Sequence, residues 1–447
     1  MATAKAAPRG MLARFIASES AGSVVLLSAT VVALAWANSP WAASYDALLH
    51  LKLGVSIGGA AAALTLHHWV NDGLMALFFF VVGLEIKREV ALGQLSTLGG
   101  AMLPVAAAVG GMVVPALLFL LLNAGGPGAR GWGVPMATDI AFALGVLALL
   151  GRRVPVGLKV FLTAVAIADD IGAVLVISVY YTEKIHLAAL GAAAVLLAVL
   201  ALVGRTRLRS PGVYGVLVLG VWLATLASGV HATVAGILIA FLVPVRPRIS
   251  LAHFLEEAGA AIQELSRRPD ARERRLLDAE ALEQVESVHV QAGSVRPPAL
   301  VLEHALHPVT TWFVLPVFAL FNAGISLEGG VGEAIRSPVA LGVVLGLVVG
   351  KAFGIAGGAW VVLRLRYSTL PEGVGFSQLA AAGVLAGIGF TMSIFVASLA
   401  FPDEGLQAAT KAGILAASAL AGVMGYGVLR ALTAEPSSSA APAGPSA

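Results

Sequence analysis

The sequence predicts an all-α polytopic membrane protein with twelve transmembrane helices. Hydrophobic residues make up 58% of the chain and charged residues only 12%, whereas soluble domains contain about 25% charged residues. Apolar stretches recur along the chain at about the 20-residue length that a helix needs to cross a bilayer. Basic residues concentrate in alternate connecting segments, which is typical of the cytoplasmic side of membrane proteins.

The predicted spans divide into two sets of six. The first six are Ile16–Ala37, Asn71–Leu92, Leu98–Leu122, Gly131–Gly151, Val156–Tyr181 and Ile185–Val203. The last six are Gly212–Leu226, Gly229–Val245, Leu302–Ile325, Pro338–Leu363, Gly375–Phe401 and Leu406–Ala431. The seventh and eighth are short for a span. Between the first two spans, the small-residue-rich segment Trp41–Leu66 is expected to form a surface hairpin or a shallow helix.

The placement of basic residues predicts the orientation. Outer segments contain only Lys52, Arg130, Lys184, Arg336 and Lys411, if the N-terminus lies inside. The other segments hold the remaining basic residues, including a large set between Arg246 and Arg296. Both termini are therefore predicted to be cytoplasmic. The tail 433–447 is disordered by composition.

The cytoplasmic segment 246–300 interrupts the membrane domain 1–432 between the eighth and ninth spans. Two stretches in it, ISLAHFLEEAGAAIQELSRR and ARERRLLDAEALEQVESVHV, show the apolar spacing of helices with charges between. We expect a solvated helical hairpin, and the alternative is a regulatory or partner-binding element.

Two adjacent acids mark the middle of the fifth span. Asp169 and Asp170 lie about ten residues from either end, roughly 16 Å into the bilayer at helical rise. An acidic side chain at that depth is unfavourable by about 3 kcal/mol. Two neighbours also repel, so both ionise only beside a cation or a positive side chain. The sequence thus predicts a cation or proton site, the alternative being an acid pair in a soluble core helix or at a helix end.

Two spans carry helix-breaking sequences near their centres. The fourth contains Pro135 followed by Ala137–Asp139, and the eleventh contains the run Gly387–Ser393. Irregular backbone at that depth must line a cavity or be buried in protein. The two spans are predicted to run in opposite directions, so spans three to five and ten to twelve would be inverted repeats, a feature of secondary transporters.

Half-helices that meet inside a membrane bring partial charges of both signs together. Asp139 and Lys351 are the charged residues at that depth that could compensate them. The alternatives are an ordinary helix N-cap for Asp139 and a Lys351 side chain that reaches the membrane surface. A lysine at midplane stays charged only beside a carboxylate.

Seven stretches of the chain carry a family resemblance. They are GVPMATDIAFALGVLALLG (Gly133–Gly151), AIADDIGA (Ala166–Ala173), GLEIKRE (Gly83–Glu89), SGVHATVAG (Ser228–Gly236), LEHALHP (Leu302–Pro308), FALFNAGISL (Phe318–Leu327) and GIGFTMSIFVASLAF (Gly387–Phe401). Together they resemble the bacterial NhaA family of sodium/proton antiporters. The resemblance implies the NhaA-type fold: twelve helices, a six-helix core with two crossed discontinuous helices, and commonly a homodimer.

The resemblance also implies residue roles. Asp170 would be the main cation and proton carboxylate, Asp169 would join it in proton exchange and pair with Lys351, and Thr138 and Asp139 would lie at the helix crossing. Asp170, Asp169 and Thr138 would be the ligands of the metal ion. The residues implied in the response to pH are Glu85, Lys87, Arg88, Glu89, His231, Glu303, His304 and His307. Two features depart from the family: the long segment 246–300, and the weak strand alternation of Trp41–Leu66, which leaves a dimerising hairpin in doubt.

The predicted function is exchange of cytoplasmic Na⁺ or Li⁺ for external H⁺, electrogenic and regulated by pH, through competition of cation and proton for the aspartate pair. No enzyme activity, cofactor or nucleic-acid partner is expected; the partners are Na⁺, Li⁺, H⁺ and the lipid bilayer. The alternatives are a sodium-coupled symporter of an organic anion, a channel, and a non-transporting sensor with this fold. The chain has no cysteine, which excludes thiol and disulfide chemistry.

Overall fold

The computed structural model describes residues 19–57, 60–182, 185–206, 210–247, 249–267, 279–325 and 335–433. The predicted disordered tail lies outside these ranges except for Thr433, as do some of the basic residues from which the orientation is predicted, among them Lys184 and Arg268. The predictions made for them stay predictions.

Each of the twelve predicted spans contains a helix. The first part of the chain forms α1 (Glu19–Ala37), α2 (Ala42–Leu49), strands β1 (Lys52–Ile57) and β2 (Ala60–Thr65), α3 (Leu66–Leu92) and α4 (Leu98–Asn123). A 3₁₀ segment (Pro127–Met136) then precedes α5 (Ile140–Leu149), α6 (Val156–Tyr180), α7 (Leu187–Arg205), α8 (Pro211–Ala227) and α9 (Ala232–Leu242). The remaining helices are α10 (Leu251–Arg267), α11 (Ala279–Val295), α12 (Pro298–Asn322), α13 (Pro338–Arg364), α14 (Phe376–Leu385), α15 (Phe390–Ala400) and α16 (Glu404–Leu432).

Length and composition identify seven to ten candidate spans in the described part of the chain. Seven are single helices: α3, α4, α6, α7, α12, α13 and α16. Three more are helix pairs bent at a short break, by 115° between α1 and α2, 46° between the 3₁₀ segment and α5, and 51° between α14 and α15. Helices α8 and α9 are apolar but shorter, which agrees with the short seventh and eighth spans of the sequence. The structure is therefore a mostly helical, polytopic membrane protein.

Polar residues in the sequence explain where two of the core helices begin. The Ser337 hydroxyl accepts a hydrogen bond from the N–H of Ala340 at the start of α13, and Pro338 occupies the first helical position. The Asp403 carboxylate accepts from the N–H of Leu406 at the start of α16. These caps satisfy N–H groups that have no partner inside the helix.

Helices α4 and α13 pack backbone to backbone. A Cβ atom at Gly110 would clash with the carbonyl of Gly354, and one at Gly358 would clash with the carbonyl of Ala106. Small residues let membrane helices approach this closely. The contact holds α13 against the centre of the molecule one turn after Lys351, and so positions that lysine.

The segment Trp41–Leu66 contains both of the structures that were considered for it. Its first part is the short helix α2, and its second part is an antiparallel hairpin in which Lys52 pairs with Thr65 and Ile57 with Ala60. The membrane part is helical as predicted, but the all-α prediction misses this small sheet. Alanine and glycine dilute the alternation of large and polar side chains by which a strand is recognised.

The segment 246–300 contains two helices, α10 and α11, as its apolar spacing predicts. They contact each other. The connection 268–278 lies outside the described residues, and the cytoplasmic location of the segment stays a prediction.

Candidate ion-binding site

The two interrupted spans meet at their breaks, and Asp139 joins them. Its Oδ1 accepts a hydrogen bond from the N–H of Phe142 at 3.0 Å, so it caps the N-terminus of α5. Its Oδ2 accepts from the N–H of Thr391 at 3.1 Å and also from the Thr391 hydroxyl, at the first turn of α15. The backbone N–H of Asp139 donates to the carbonyl of Ile388 at 2.7 Å. One buried carboxylate therefore meets the positive ends of both half-helices.

Hydroxyl groups satisfy the opposite, carbonyl ends of the breaks. The Thr138 hydroxyl donates to the carbonyl of Ala386, just after α14, at 3.0 Å. The Ser393 hydroxyl donates to the carbonyl of Val134 in the 3₁₀ segment at 2.9 Å. We expected an acid and a base to compensate the two kinds of helix end. The acid, Asp139, does bond the N-terminal ends. The carbonyl ends are bonded by the hydroxyls of Thr138 and Ser393, and the base forms its ion pair with a different residue.

That base is Lys351, and its partner is Asp169. The Lys351 Nζ lies 2.6 Å from Asp169 Oδ2, and both side chains are 1% exposed. Lys351 is the first residue after a wide, π-helical turn of α13 (Leu345–Gly350), a distortion that is frequent at functional sites. The predicted pairing is present in the geometry, and a lysine that reaches the membrane surface is excluded by this burial.

The second oxygen of Asp169 is free of the lysine. Asp169 Oδ1 is buried without a hydrogen-bond partner among the described residues. Thr138 lies beside Asp169, but its hydroxyl hydrogen is already given to Ala386. The hydroxyl oxygen and the Asp169 oxygen are therefore both available as acceptors at one place. Such oxygen atoms are the ligands that hard cations bind.

Asp170 differs from its neighbour. It is 4% exposed and makes no hydrogen bond to any residue within the described ranges. The charged groups around it are Asp169, Glu85, Lys351 and Asp139. Since only one of these four is a cation, and that cation is bonded to Asp169, the Asp170 carboxylate lacks a counter-charge of its own.

A second charged cluster lies at the end of α3. Arg88 Nη1 is 2.8 Å from Glu303 Oε1 on α12, and Arg88 Nη2 is 3.8 Å from Glu85 Oε1 one turn earlier. Glu303 is 7% exposed, and its Oε2 has no hydrogen-bond partner among the residues described. Glu85 is a charged neighbour of Asp170. The Arg88 cluster (Glu85, Arg88 and Glu303) thus extends from the helix end toward the paired acids.

The other residues implied in the pH response do not join this cluster. Lys87 donates to the carbonyls of Phe241 and Val243 at the end of α9. The Glu89 Oε1 accepts from the N–H of Gln94 in the following loop at 2.5 Å. His304 and His307 are exposed, and His231 lies at the opposite end of α9 from Lys87. The sequence set therefore occupies several places, and only three of its members contact one another.

Two functional contacts were not predicted. Thr391 is the second anchor of Asp139, and Ser393 ties the eleventh span to the fourth. Both hydroxyls stand in the run GIGFTMS, which the sequence analysis identified as a helix break and as part of a family motif, with no role given to either hydroxyl. A paired hydroxyl and acid at corresponding breaks is the signal that could have found them, because buried polar groups need partners.

The donors at this site are carboxylate and hydroxyl oxygens. No group of three or more histidine, aspartate and glutamate side chains in the described ranges is arranged around one point as a metal site. The acids Asp169 and Asp170 would have to be completed by Thr138, backbone carbonyls or water.

Several membrane helices, two interrupted spans joined at their breaks and a buried ion pair beside an unpaired carboxylate define a membrane transport protein for small ions, not an enzyme. Residues 13–429 match the sequence profile of the family described as Na⁺/H⁺ antiporter 1. The chain belongs to this family.

Individual relatives agree over nearly the whole length. The Na⁺/H⁺ antiporter NhaA of Oleidesulfovibrio alaskensis is 46% identical over 422 residues, which cover 94% of this chain and 93% of the relative. The Na⁺/H⁺ antiporter NhaA 2 of Sorangium cellulosum is 46% identical over 424 residues, with 94% and 89% covered. The Na⁺/H⁺ antiporter NhaA of Koribacter versatilis is 43% identical over 419 residues, with 93% and 90% covered.

Proposed function

We propose that this protein is a secondary active transporter that exchanges Na⁺ or Li⁺ for H⁺, with Asp170 as the carboxylate that takes up either ion. Membership of the Na⁺/H⁺ antiporter 1 family supports the exchange. The observation that carries the assignment of the site is the asymmetry of the paired acids. Asp169 is bonded to Lys351, whereas Asp170 has no hydrogen bond within the described part of the chain.

Exchange follows from this asymmetry. An ionised carboxylate without a partner is unfavourable in a medium from which water is excluded. Asp170 is therefore stabilised by either a bound cation or a bound proton, and these two ligands exclude each other. Oxygens of Asp169 and Thr138 complete the coordination of the cation. The ionised carboxylate without a ligand is the least stable state. The protein therefore changes the side of the membrane to which the site opens only when Asp170 carries a cation or a proton.

The conformational change uses the joined breaks. The 3₁₀ segment with α5 and the pair α14–α15 act as two crossed discontinuous helices within twelve spans, related as inverted repeats. Asp139 keeps the N-terminal ends of α5 and α15 together while the surrounding helices move. The contact of one carboxylate with two N-termini supports this role, because it lets the pair move as a unit.

The exchange is electrogenic if more protons than cations move in each cycle. The second proton would be carried by the Lys351–Asp169 pair. The bond between these two side chains breaks when a cation binds Asp170 and is also coordinated by Asp169. A potential of 100 mV then contributes about 2.3 kcal/mol for each net charge. An inside-negative potential would drive the extrusion of Na⁺.

The Arg88 cluster controls access to the site. Glu85 is a charged neighbour of Asp170 and Glu303 keeps one buried oxygen unbonded, so protonation at the cluster changes the field at the acids. The chain lies in the inner membrane of a bacterium with both termini and the segment 246–300 in the cytoplasm. The hairpin β1–β2 offers strand edges through which two copies form a homodimer.

The experiment is cation-induced dequenching of a pH-sensitive dye in everted membrane vesicles. Na⁺ and Li⁺, but not K⁺, should collapse a preformed proton gradient in vesicles that contain the protein, and vesicles without it serve as the control. A symporter would need an organic anion in addition to Na⁺, and a channel would pass Na⁺ without consuming the gradient. The assay is repeated between about pH 5 and pH 8, the range in which histidine changes its charge. No response to any cation at any of these pH values would favour a sensor without transport.

A further inference from the structure

A polar cavity lies at the end of the helix bundle opposite the Arg88 cluster. It has a volume of 600 Å³ and is bounded by α2, the first turn of α3, the end of α12 and the first turns of α16. His67 in its wall and Arg88 lie at opposite ends of α3, roughly 30 Å apart at helical rise. The cavity is thus separate from the paired acids and from the Arg88 cluster.

Lys411 lies in this cavity as a buried cation that has no partner among the residues the structure describes. Its side chain belongs to α16, it lines the cavity and it is only 9% exposed. Among the described residues it has neither an ion pair nor a hydrogen bond. An ammonium group with little access to water and no opposite charge nearby is unfavourable. Nothing in the exchange mechanism uses it.

The neighbouring polar groups do not satisfy Lys411. The Tyr45 hydroxyl donates to the carbonyl of Leu320 at 2.7 Å. The ring of His67 is 3.1 Å from the amide oxygen of Asn322, in a network with Asn71. These groups are bonded to the protein itself and supply no negative charge to the lysine.

Gln407 is the exception, because it has an unused donor. It lies one turn before Lys411 on the same face of α16 and also lines the cavity. Its amide nitrogen gives one hydrogen to the carbonyl of Phe401 at 2.6 Å, which leaves a second N–H for another acceptor. The ammonium and this N–H together form a set of donors, which is what an anion requires.

The acids of the cavity lie at its mouth. The Asp46 side chain is 73% exposed and is 3.2 Å from His50, and Glu404 at the start of α16 is exposed. The floor is therefore positive and the rim is negative. An anion with several charges would be repelled by the rim, whereas a single charge at the floor would neutralise one lysine.

We propose that this cavity binds a small monovalent anion of the chloride class through Lys411 and Gln407. The anion supplies a counter-charge that no residue in the described part of the chain gives to Lys411. It also removes a fixed positive charge from one end of the protein, where a cation such as Na⁺ must enter or leave. The proposal concerns a binding site and does not depend on the assignment of Asp170.

The test uses the purified full-length protein and measures Tm while choline chloride replaces choline gluconate. Ionic strength, pH and Na⁺ are held constant. Binding to the folded state predicts a rise in Tm that saturates with chloride, by at least about 1 °C. Lys411→Met should abolish the rise, since methionine keeps the bulk of the side chain without its charge. Lys52→Met, which removes an exposed lysine on β1, should keep it.

Two further measurements make the result decisive. Crystals of the wild type grown with bromide should show an anomalous peak beside Lys411. This measurement tests anion binding even if Lys411→Met does not fold. Delipidated protein titrated with phosphatidylglycerol in gluconate should show no rise that depends on Lys411. A rise equal in wild type and Lys411→Met, no saturable rise together with no bromide peak, or a rise with the lipid alone would overturn the proposal.

Discussion

Two ion pairs in this protein have similar geometry and different surroundings. Lys351 and Asp169 are 2.6 Å apart with both side chains 1% exposed, whereas Arg88 and Glu303 are 2.8 Å apart with side chains 31% and 9% exposed. Water near Arg88 can solvate either partner if the pair opens. No water can take the place of a partner at the centre of α6 and α13, because both side chains are buried. Breaking the Lys351–Asp169 pair therefore leaves a buried charge.

The difference assigns different tasks to the two pairs. A pair at a helix end is worth about 0–1 kcal/mol and opens readily, which suits a device that responds to pH. Loss of one partner from a buried pair costs about 3–5 kcal/mol, which suits a pair that opens only when a cation compensates. The following predictions test this contrast, beginning with the largest effect.

Asp170→Asn should reduce Na⁺/H⁺ exchange to background. An amide has nearly the same shape but carries no charge and takes up no proton. The Tm should change by less than about 2 °C, because Asp170 makes no hydrogen bond within the described residues that the amide would lose. The measurement is exchange by purified protein in proteoliposomes, with Glu256→Gln, an exposed acid on α10, as the control. Exchange at the wild-type rate would contradict the assignment of the site.

Lys351→Gln should lower the free energy of unfolding by about 3–5 kcal/mol, because Asp169 then remains buried and unpaired. The double variant Asp169→Asn/Lys351→Gln should recover most of the loss. Chemical denaturation in detergent measures both, and Lys159→Gln on the same helix as Asp169 is the control. Equal stability of the single and double variants would show that the pair contributes little.

The double variant also separates two roles of the pair. If it exchanges Na⁺ for H⁺ but no longer generates a membrane potential, Lys351 and Asp169 carry the additional proton. If it remains electrogenic, the pair is structural. A potential-sensitive dye in the same proteoliposomes distinguishes these results.

Asp139→Ala should cost about 1–4 kcal/mol, since a lost cap costs about 0.5–2 kcal/mol and this carboxylate caps two half-helices. Asp139→Asn, which keeps an acceptor oxygen, should cost less. Thr97→Ala removes a single cap, the hydrogen bond from the N–H of Gly100 at the start of α4. Its loss of stability is the reference value for one cap. A loss no larger than that of Thr97→Ala would mean that one of the two caps contributes nothing.

Changes in the Arg88 cluster should have the smallest effect on stability and a visible effect on regulation. Glu85→Ala and Glu303→Ala should each change the free energy of unfolding by about 1 kcal/mol or less but displace the activity–pH profile. Glu89→Ala should leave the profile in place, because that carboxylate bonds the loop at Gln94. Profiles unmoved in both cluster variants would mean that these groups form an ordinary solvated helix end.

The comparison also shows which parts of the site can be predicted from a sequence. The position of Asp169 and Asp170 midway along the fifth span and the two helix breaks depend only on residues close together in the chain, because hydropathy and helix-breaking residues act locally. The structure places the two acids midway along α6 and a bend in each of the two interrupted spans, and the depth of the acids in a membrane stays a prediction. The pairing of Lys351 with Asp169 is present in the structure, but it was implied by the family resemblance. The sequence alone indicated only that a lysine at that depth needs a carboxylate partner.

The pH-response residues could not be sorted in this way. Four of them are neighbours on α3: Glu85, Lys87, Arg88 and Glu89. Arg88 contacts Glu85 and α12, Lys87 contacts the end of α9, and Glu89 contacts the following loop. Their directions depend on which helices lie alongside α3. That is a property of packing and not of spacing.

The sequence by itself determined the class of the protein, the approximate limits of its spans and the position of the acid pair, since transfer of side chains into lipid is governed by composition over about 20 residues. Only the tertiary structure decided that one carboxylate, Asp139, caps two half-helices, and that Asp170 rather than Asp169 is left without a bond. It also placed Lys411 in a cavity without a counter-charge among the described residues. These features depend on contacts between residues more than 100 positions apart, whose geometry is set when the helices pack.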